Sequence, residues 1–163
     1  DQETIEIAIK AALTGHFVLS TIHTNSAVST ITRILDMGVM PFKITASIRT
    51  IQAQRLIRKV CPDCKEEYTP PEKIQEDIQK ILSNCPEEGF QNDALKNITL
   101  WRGKGCEKCN HTGTRGRIGV YEVMVMDRDL EQIILDGARE GDIQDLCVEK
   151  GMVTLLQDGY IKA

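Results

Sequence analysis

The chain has 163 residues, with 20 basic and 24 acidic side chains and 41% apolar composition. That is long enough for a real core and too balanced for a disordered tail. No apolar run approaches the roughly 18 residues that a spanning helix needs, and no basic segment followed by an apolar stretch opens the chain, so a membrane span or signal peptide is not expected. A net charge of -4 gives no electrostatic reason to expect nucleic acid as the main ligand. Residue 1 is Asp, and an amphipathic pattern begins at once, which reads as a piece of a longer chain.

In chain order, Ile5, Ile9, Ala12 and Leu13 recur at helical spacing and Gly15 supplies a stop, so residues 3–14 read as a helix. Phe17, Val18, Leu19 and Ile22 form a nearly continuous apolar run, the pattern of a parallel strand covered on both faces. Asn25 or Ser26 caps a second helix bearing Val28, Ile31, Ile34 and Leu35, with Gly38 as its stop. Ile44, Ile48 and Ile51 continue at helical spacing after Pro41, and RLIRKV then reads as a strand entering CPDC at 61–64. From Glu66 to Asp93 an acidic, proline-bounded stretch reads as an insertion. It holds one helix with Ile74, Ile78, Ile81 and Leu82 on a face, opened by a capping box of Thr69 and Glu72 around Pro70. Ile98 to Trp101 is strand-like, and Ile118 to Met126, apolar on both alternating faces, reads as a buried strand. Asp127 caps a helix with Leu130, Ile133, Ile134 and Ala138; Ile143, Leu146 and Cys147 mark another before Gly151; Thr154 with Gln157 forms a capping box for a last helix running to Ala163.

The strongest chemical signal lies in the cysteines. Four of the six fall into two C-x-x-C pairs, Cys61 with Cys64 and Cys106 with Cys109, and residues 65–105 separate them. Two residues between thiolates let both sulfurs of a turn face one point at the bond length of about 2.3 Å that zinc prefers, and two such turns complete a tetrahedron. Paired C-x-x-C motifs favour a metal site in a reducing compartment over disulfides. The gap exceeds the usual ribbon spacing of about 15 to 20 residues. The inserted helix absorbs the excess, and closing a longer loop costs little because that cost grows only logarithmically. A four-sulfur zinc site is closed to substrate and therefore structural; iron, ordinary thiols or a disulfide pair are the competing readings, and His111 is an alternative ligand. Cys147, on a stripe with Ile143 and Leu146, reads as a small buried apolar residue.

Polar residues just beyond a buried parallel strand sit where open α/β sheets bind ligands, and Thr21, His23, Thr24 and Asn25 hold that position. An imidazole there either hydrogen-bonds a phosphate or an attacking water, or belongs to a capping cluster; the pattern alone does not choose.

Three stretches in order, TGHFVLSTIHTN at 14–25, AQRLIRKVCPDC at 53–64 and GCEKCNHTGTRGRIGVYEV at 105–123, resemble the carboxyl-terminal portion of the type II secretion and type IV pilus assembly ATPases over nearly the whole chain. The tetracysteine element resembles the secretion and pilus-extension branch. The resemblance implies the distal half of a RecA-like P-loop ATPase domain in an α/β fold. Residues 1–60 belong to that core, 61–112 to an inserted tetracysteine zinc subdomain, and 113–163 to a returning strand and C-terminal helices. It implies a hexameric cytoplasmic motor, peripheral to the inner membrane, that uses ATP and magnesium and meets an inner-membrane platform and cytoplasmic adaptor proteins. His23 matches the family's phosphate-facing histidine, with Thr21 and Thr24 beside it. Arg117, and with less support Arg115, resemble an arginine that reaches bound nucleotide. Gln54 and Arg55 match the family without an implied role.

Departures are Ile22 and Thr114, where the family often has leucine and tyrosine, and the absence of any G-x-x-x-x-G-K-[ST]. Without that loop of backbone amides and its lysine, the chain alone is expected not to hydrolyse ATP. Two other readings compete. One is a stand-alone zinc ribbon gripping nucleic acid through Arg102, Lys104, Lys108, Arg115 and Arg117, which the acidic balance disfavours. The other is a chaperone-type zinc module, of which only one imperfect copy is present.

Overall fold

The computed structural model describes residues 2–86 and 98–163. The acidic end of the predicted insertion, up to Asp93, lies outside the described residues. The chain is mixed α/β and divides into two compact units, Asp1–Ala53 with Glu122–Met152 and Gln54–Tyr121 with Val153–Ala163.

The first unit holds α1 (Gln2–Leu13), α2 (Ala27–Asp36) and α3 (Pro41–Ser47). Ser26 caps α2: its side chain accepts the Ser29 N–H while the Ser29 hydroxyl accepts the Ser26 N–H, a reciprocal box. Gly38, in the left-handed region at φ +85, follows the helix end as its spacing predicts. The strands β1 (Thr50–Val60) and β4 (Thr114–Val125) pair in one two-stranded sheet. The Met126 N–H donates to Arg49 O at one end and the Cys61 N–H to Gly113 O at the other, so the two strands run in opposite directions. After β4, α5 (Arg128–Leu135) is capped by Asp127, which accepts the Leu130 N–H at 3.0 Å, and α6 (Glu140–Glu149) follows. Ile31, Ile44 and Ile143 are wholly buried, and Val28, Met124, Leu130, Ile134 and Cys147 pack with them in one core. Each such aliphatic side chain contributes roughly 1.5–3 kcal/mol through removal from water.

Among the described residues, the second unit has the smaller apolar core. Here β2 (Lys65–Tyr68) and β3 (Leu100–Gly103) pair antiparallel with Glu66 opposite Arg102 and Glu67 opposite Trp101. Helix α4 (Glu72–Leu82) buries Ile78 and Leu82, which cluster with Ile98, Leu100, Tyr160 and Ile161, the last two on α7 (Leu155–Ile161). The Thr154 and Gln157 box opens α7, and the buried Gln157 donates its Nε2 to Ile81 O at 3.0 Å, tying α7 to α4.

Four expectations are corrected. The run at 17–22 forms no strand, and Phe17 and Leu19 are 90% and 84% exposed. A strand exists only with a hydrogen-bonding neighbour, and neither sheet among the described residues includes this segment. Helix α3 stops at Ser47, with Ile48 extended at its cap and Ile51 already in β1; three isoleucines at helical spacing cross an element boundary. No side chain caps α4, whose N-cap position is Pro71; Pro70 is buried and its carbonyl accepts Gln75 Nε2 at 2.7 Å instead. The end of β4 is buried on one face only, since Tyr121, Val123 and Val125 are 40%, 44% and 63% exposed while Val120, Glu122 and Met124 point inward.

Equilibrium unfolding in urea is expected to separate the two kinds of apolar residue. Ile31→Ala should cost roughly 2–5 kcal/mol, and Phe17→Ala less than about 0.5 kcal/mol. Equal losses for both would contradict the burial described.

Candidate metal centre

The strand pairing explains how cysteines so far apart in sequence meet. Cys61 follows β1 and Cys64 precedes β2, while Cys106 follows β3 and Cys109 precedes β4. Because β1 pairs with β4 and β2 with β3, the two C-x-x-C turns close the same end of both ribbons. All four Sγ atoms lie within 4.8 Å of one another. Individual separations are 4.0 Å for Cys61 to Cys106, 3.9 Å for Cys64 to Cys109 and 3.7 Å for Cys106 to Cys109. A tetrahedron of sulfurs about 2.3 Å from a central zinc has edges of about 3.8 Å, so the spacing fits one ion. It is well beyond a disulfide's S–S bond of about 2.05 Å, and all six cysteines are free thiols.

The backbone prepares these turns. The second folds as a short 3₁₀ segment, Glu107–Cys109, in which Cys109 Sγ accepts the Cys106 N–H at 3.2 Å. The His111 N–H donates to Cys106 O at 2.9 Å, and Asn110 and His111 are both left-handed. His111 thus serves through its backbone, while the group of side chains close enough together to hold an ion is the four sulfurs. Two glycines are required by close approach. A Cβ on Gly105 (φ +90) would lie 2.7 Å from His111 O, and one on Gly113 (φ +72) 2.5 Å from Gly103 O. The Cys61 N–H to Gly113 O bond, 3.0 Å, then ties the first turn to the second.

Charge surrounds the cluster. Asp63, inside CPDC, takes Lys108 at 2.5 Å and Arg115 at 3.6 Å; Glu66 takes Lys104 at 2.6 Å and Arg102 at 2.8 Å. Lys108 chiefly holds Asp63 below the ordinary carboxylate range, and Lys104 does the same for Glu66. Among the thiols, N–H donation from Cys106 lowers Cys109 to about 6, whereas burial raises Cys64 to about 12. Sulfurs this close repel one another as thiolates, so they do not ionise together without a cation.

The other predicted site residues fall elsewhere. Thr21, His23 and Thr24 lie in the first unit, on the connection into α2; Thr21 and His23 are exposed, and the Thr24 hydroxyl meets Ser26 O at 3.1 Å and Thr30 Oγ1 at 2.8 Å. Arg115 and Arg117 are exposed on β4, Arg115 being drawn to the cysteine turns through Asp63. Gln54 Nε2 reaches Tyr121 Oη at 3.4 Å. Cys147 is buried, and burial chiefly pushes its thiol up to about 11, as an inert core cysteine requires. Sequence reasoning passed over Glu122, a carboxylate only 3% exposed whose Oε1 accepts the Ala27 N–H at 2.7 Å; its one signal was an acid on the inward face of an alternating strand.

Comparison with known proteins settles the family. The type II/IV secretion system protein family matches residues 1–163. The chain belongs to that family. It is 41% identical over 162 residues to the type IV pilus assembly ATPase PilB of Myxococcus xanthus, covering 99% of this chain and 27% of that protein. It is 43% identical over 140 residues to the type II secretion system ATPase E of Vibrio cholerae, covering 86% of this chain and 25% of that protein. A PilB of Thermus thermophilus is 39% identical over 163 residues, all of this chain and 17% of the relative. The chain therefore spans at most about a quarter of the length of these relatives.

Metal uptake at the four sulfurs should displace protons, Cys64 entering as a thiol up to about pH 12. Zinc affinity should fall as pH falls, and more steeply below about 6, where Cys109 also binds a proton that the metal must remove. A competition titration with a chromophoric chelator at several pH values measures this; a pH-independent affinity would contradict thiolate ligation.

Proposed function

We propose that this chain is the distal part of an ATP-driven motor that powers type II secretion or type IV pilus assembly, with a structural zinc held by Cys61, Cys64, Cys106 and Cys109. The reading is carried by one observation: a match to the secretion family over all of residues 1–163, in a chain whose four cysteines converge at metal-binding distance. Its relatives bear the names of ATPases of both systems.

In this reading the parent is a hexamer, RecA-like in its core, cytoplasmic, and peripheral to the inner membrane through platform and adaptor partners. Residues 1–60 belong to the ATPase core, 61–112 to the zinc subdomain and 113–163 to the returning strand and C-terminal helices. The exposed Phe17 and Leu19 support a larger core, since a bigger sheet would cover such a run. ATP with magnesium binds between subunits of the parent. Exposed on the way into α2, His23 is free of burial to meet the terminal phosphate, with Thr21 and Thr24 as hydroxyl partners. Arg117, and secondarily Arg115, offer planar guanidinium groups for phosphate. The sequence contains no P-loop, so the chain alone is inactive.

The zinc subdomain acts as a scaffold or docking element. A tetrathiolate site has no open position for substrate. The nucleic-acid alternative is weaker because four of the five cations it needs, Arg102, Lys104, Lys108 and Arg115, are already engaged by Glu66 and Asp63.

In the complete parent, His23→Ala should lower ATP turnover by about 100-fold, the scale of losing one transition-state hydrogen bond, measured by phosphate release at saturating ATP. Turnover within about twofold of the unsubstituted parent would reject the role. Cys106→Ser should lose stoichiometric zinc and the cooperative unfolding of the second unit; unchanged metal content and melting would reject the scaffold.

A further inference from the structure

We propose that Glu122 is a positioning residue for the segment bearing Thr21, His23 and Thr24, which it acts on through the first turn of α2. The inference rests on the nucleotide-facing reading of His23 given above.

Glu122 occupies an inward position of β4 between Val120 and Met124, where a carboxylate has no reason to be on packing grounds. A polar group held away from water persists only with hydrogen-bond partners. One such partner is visible: Glu122 Oε1 accepts the Ala27 N–H at 2.7 Å, 95 residues away in sequence. The bond is at the short end for N–H···O, and it meets the first turn of the ten-residue helix α2, where backbone N–H groups lack partners within the helix. Ala27 and Val28 are wholly buried, so water cannot take over the Ala27 donor if the carboxylate is withdrawn.

Ala27 is the first residue of α2, and the residues before it are bound to those after it. The Ser26 N–H donates to Ser29 Oγ and the Ser29 N–H to Ser26 Oγ. Thr24 Oγ1 meets both Ser26 O and Thr30 Oγ1, and the Thr30 hydroxyl donates to Ser26 O. Residues 24–30 therefore move together, and His23 is joined directly to them. Fixing Ala27 from β4 fixes the path of the chain from which His23 projects. A displacement of about 1 Å at such a segment is enough to cost on the order of 100-fold in a reaction that depends on alignment. Ser26 alone does not do this, because its box is internal to the segment and travels with it.

Reach matters more than charge here, which separates the variants. Gln keeps the length and an acceptor oxygen; Asp keeps the charge but draws the oxygens back by about 1.5 Å, one C–C bond. In the complete parent, Glu122→Gln should retain kcat within about threefold, whereas Glu122→Asp and Glu122→Ala should lose about tenfold or more with KM changed by less than about twofold. In the His23→Ala background, adding Glu122→Ala should cost less than about twofold more, because both changes remove one function. Hydrogen exchange of the peptide covering residues 23–29 should quicken in the Asp variant and not in the Gln variant.

The inference is overturned if His23→Ala loses turnover while the Asp and Ala variants do not, or if Glu122→Ala costs the same factor with and without His23. Should His23→Ala turn over normally, the nucleotide reading fails by itself; exchange at 23–29 then decides whether Glu122 holds the segment, an unchanged rate in the Asp variant rejecting it. If the Ala variant does not fold, the contrast between the Gln and Asp variants decides the question in its place.

Discussion

Four sulfur atoms, supplied in pairs by turns that lie 41 residues apart (65–105), must share a space barely wider than one ion. That requirement organises the second unit. Each turn is the exit of one strand and the entrance of another, so bringing the turns together aligns β1 with β4 and β2 with β3. Among the described residues the apolar core here, built on Ile78, Leu82 and Ile98, is small, and small cores are the ones that gain most from a metal staple of the kind proposed. Charge follows the same logic. Four thiolates around a divalent ion leave two negative charges. On the rim, Arg102, Lys104, Lys108 and Arg115 set against Asp63 and Glu66 leave two positive ones. On the zinc reading proposed above, such a centre is closed to ligands, suited to holding strands together and unsuited to chemistry.

The first unit is held differently, by a continuous aliphatic core that includes Ile31, Ile44, Leu130 and Ile143. Its polar interior is sparse: Thr30, Thr45 and Glu122 are the buried polar residues described there. Two of these three meet around the first turn of α2, the end of the helix that the STIHTN stretch enters. Polar groups are costly to bury and are retained where they specify a unique arrangement. Aliphatic packing thus fixes α2 as a body, and a few hydrogen bonds fix how the chain arrives at it.

Much of this was legible in the residues. Two C-x-x-C pairs announce that four sulfurs converge because the spacing itself creates the geometry, and Ser26, Asp127 and Thr154 announce helix starts because capping is local chemistry. The three motifs led to the family that the whole-chain match then established. What depends on distant neighbours was not legible. Phe17, Val18 and Leu19 have strand-like composition, but a strand is made by its partners, and the described residues provide none at that segment. The continuous apolar pattern at 118–126 concealed a face open to solvent, because Tyr121, Val123 and Val125 are apolar for reasons that periodicity does not carry. The glycines of RGKGCEKCNHTG were visible as a rhythm, yet the pairing of Gly103 with Gly113 and Gly105 with His111 belongs to tertiary structure.

X-ray absorption at the zinc edge, on protein purified under reducing conditions without added metal, tests the central claim most directly. One zinc per chain with four sulfur scatterers at about 2.3 Å is the predicted result. A first shell containing nitrogen or oxygen, or a folded protein without stoichiometric metal, would contradict it.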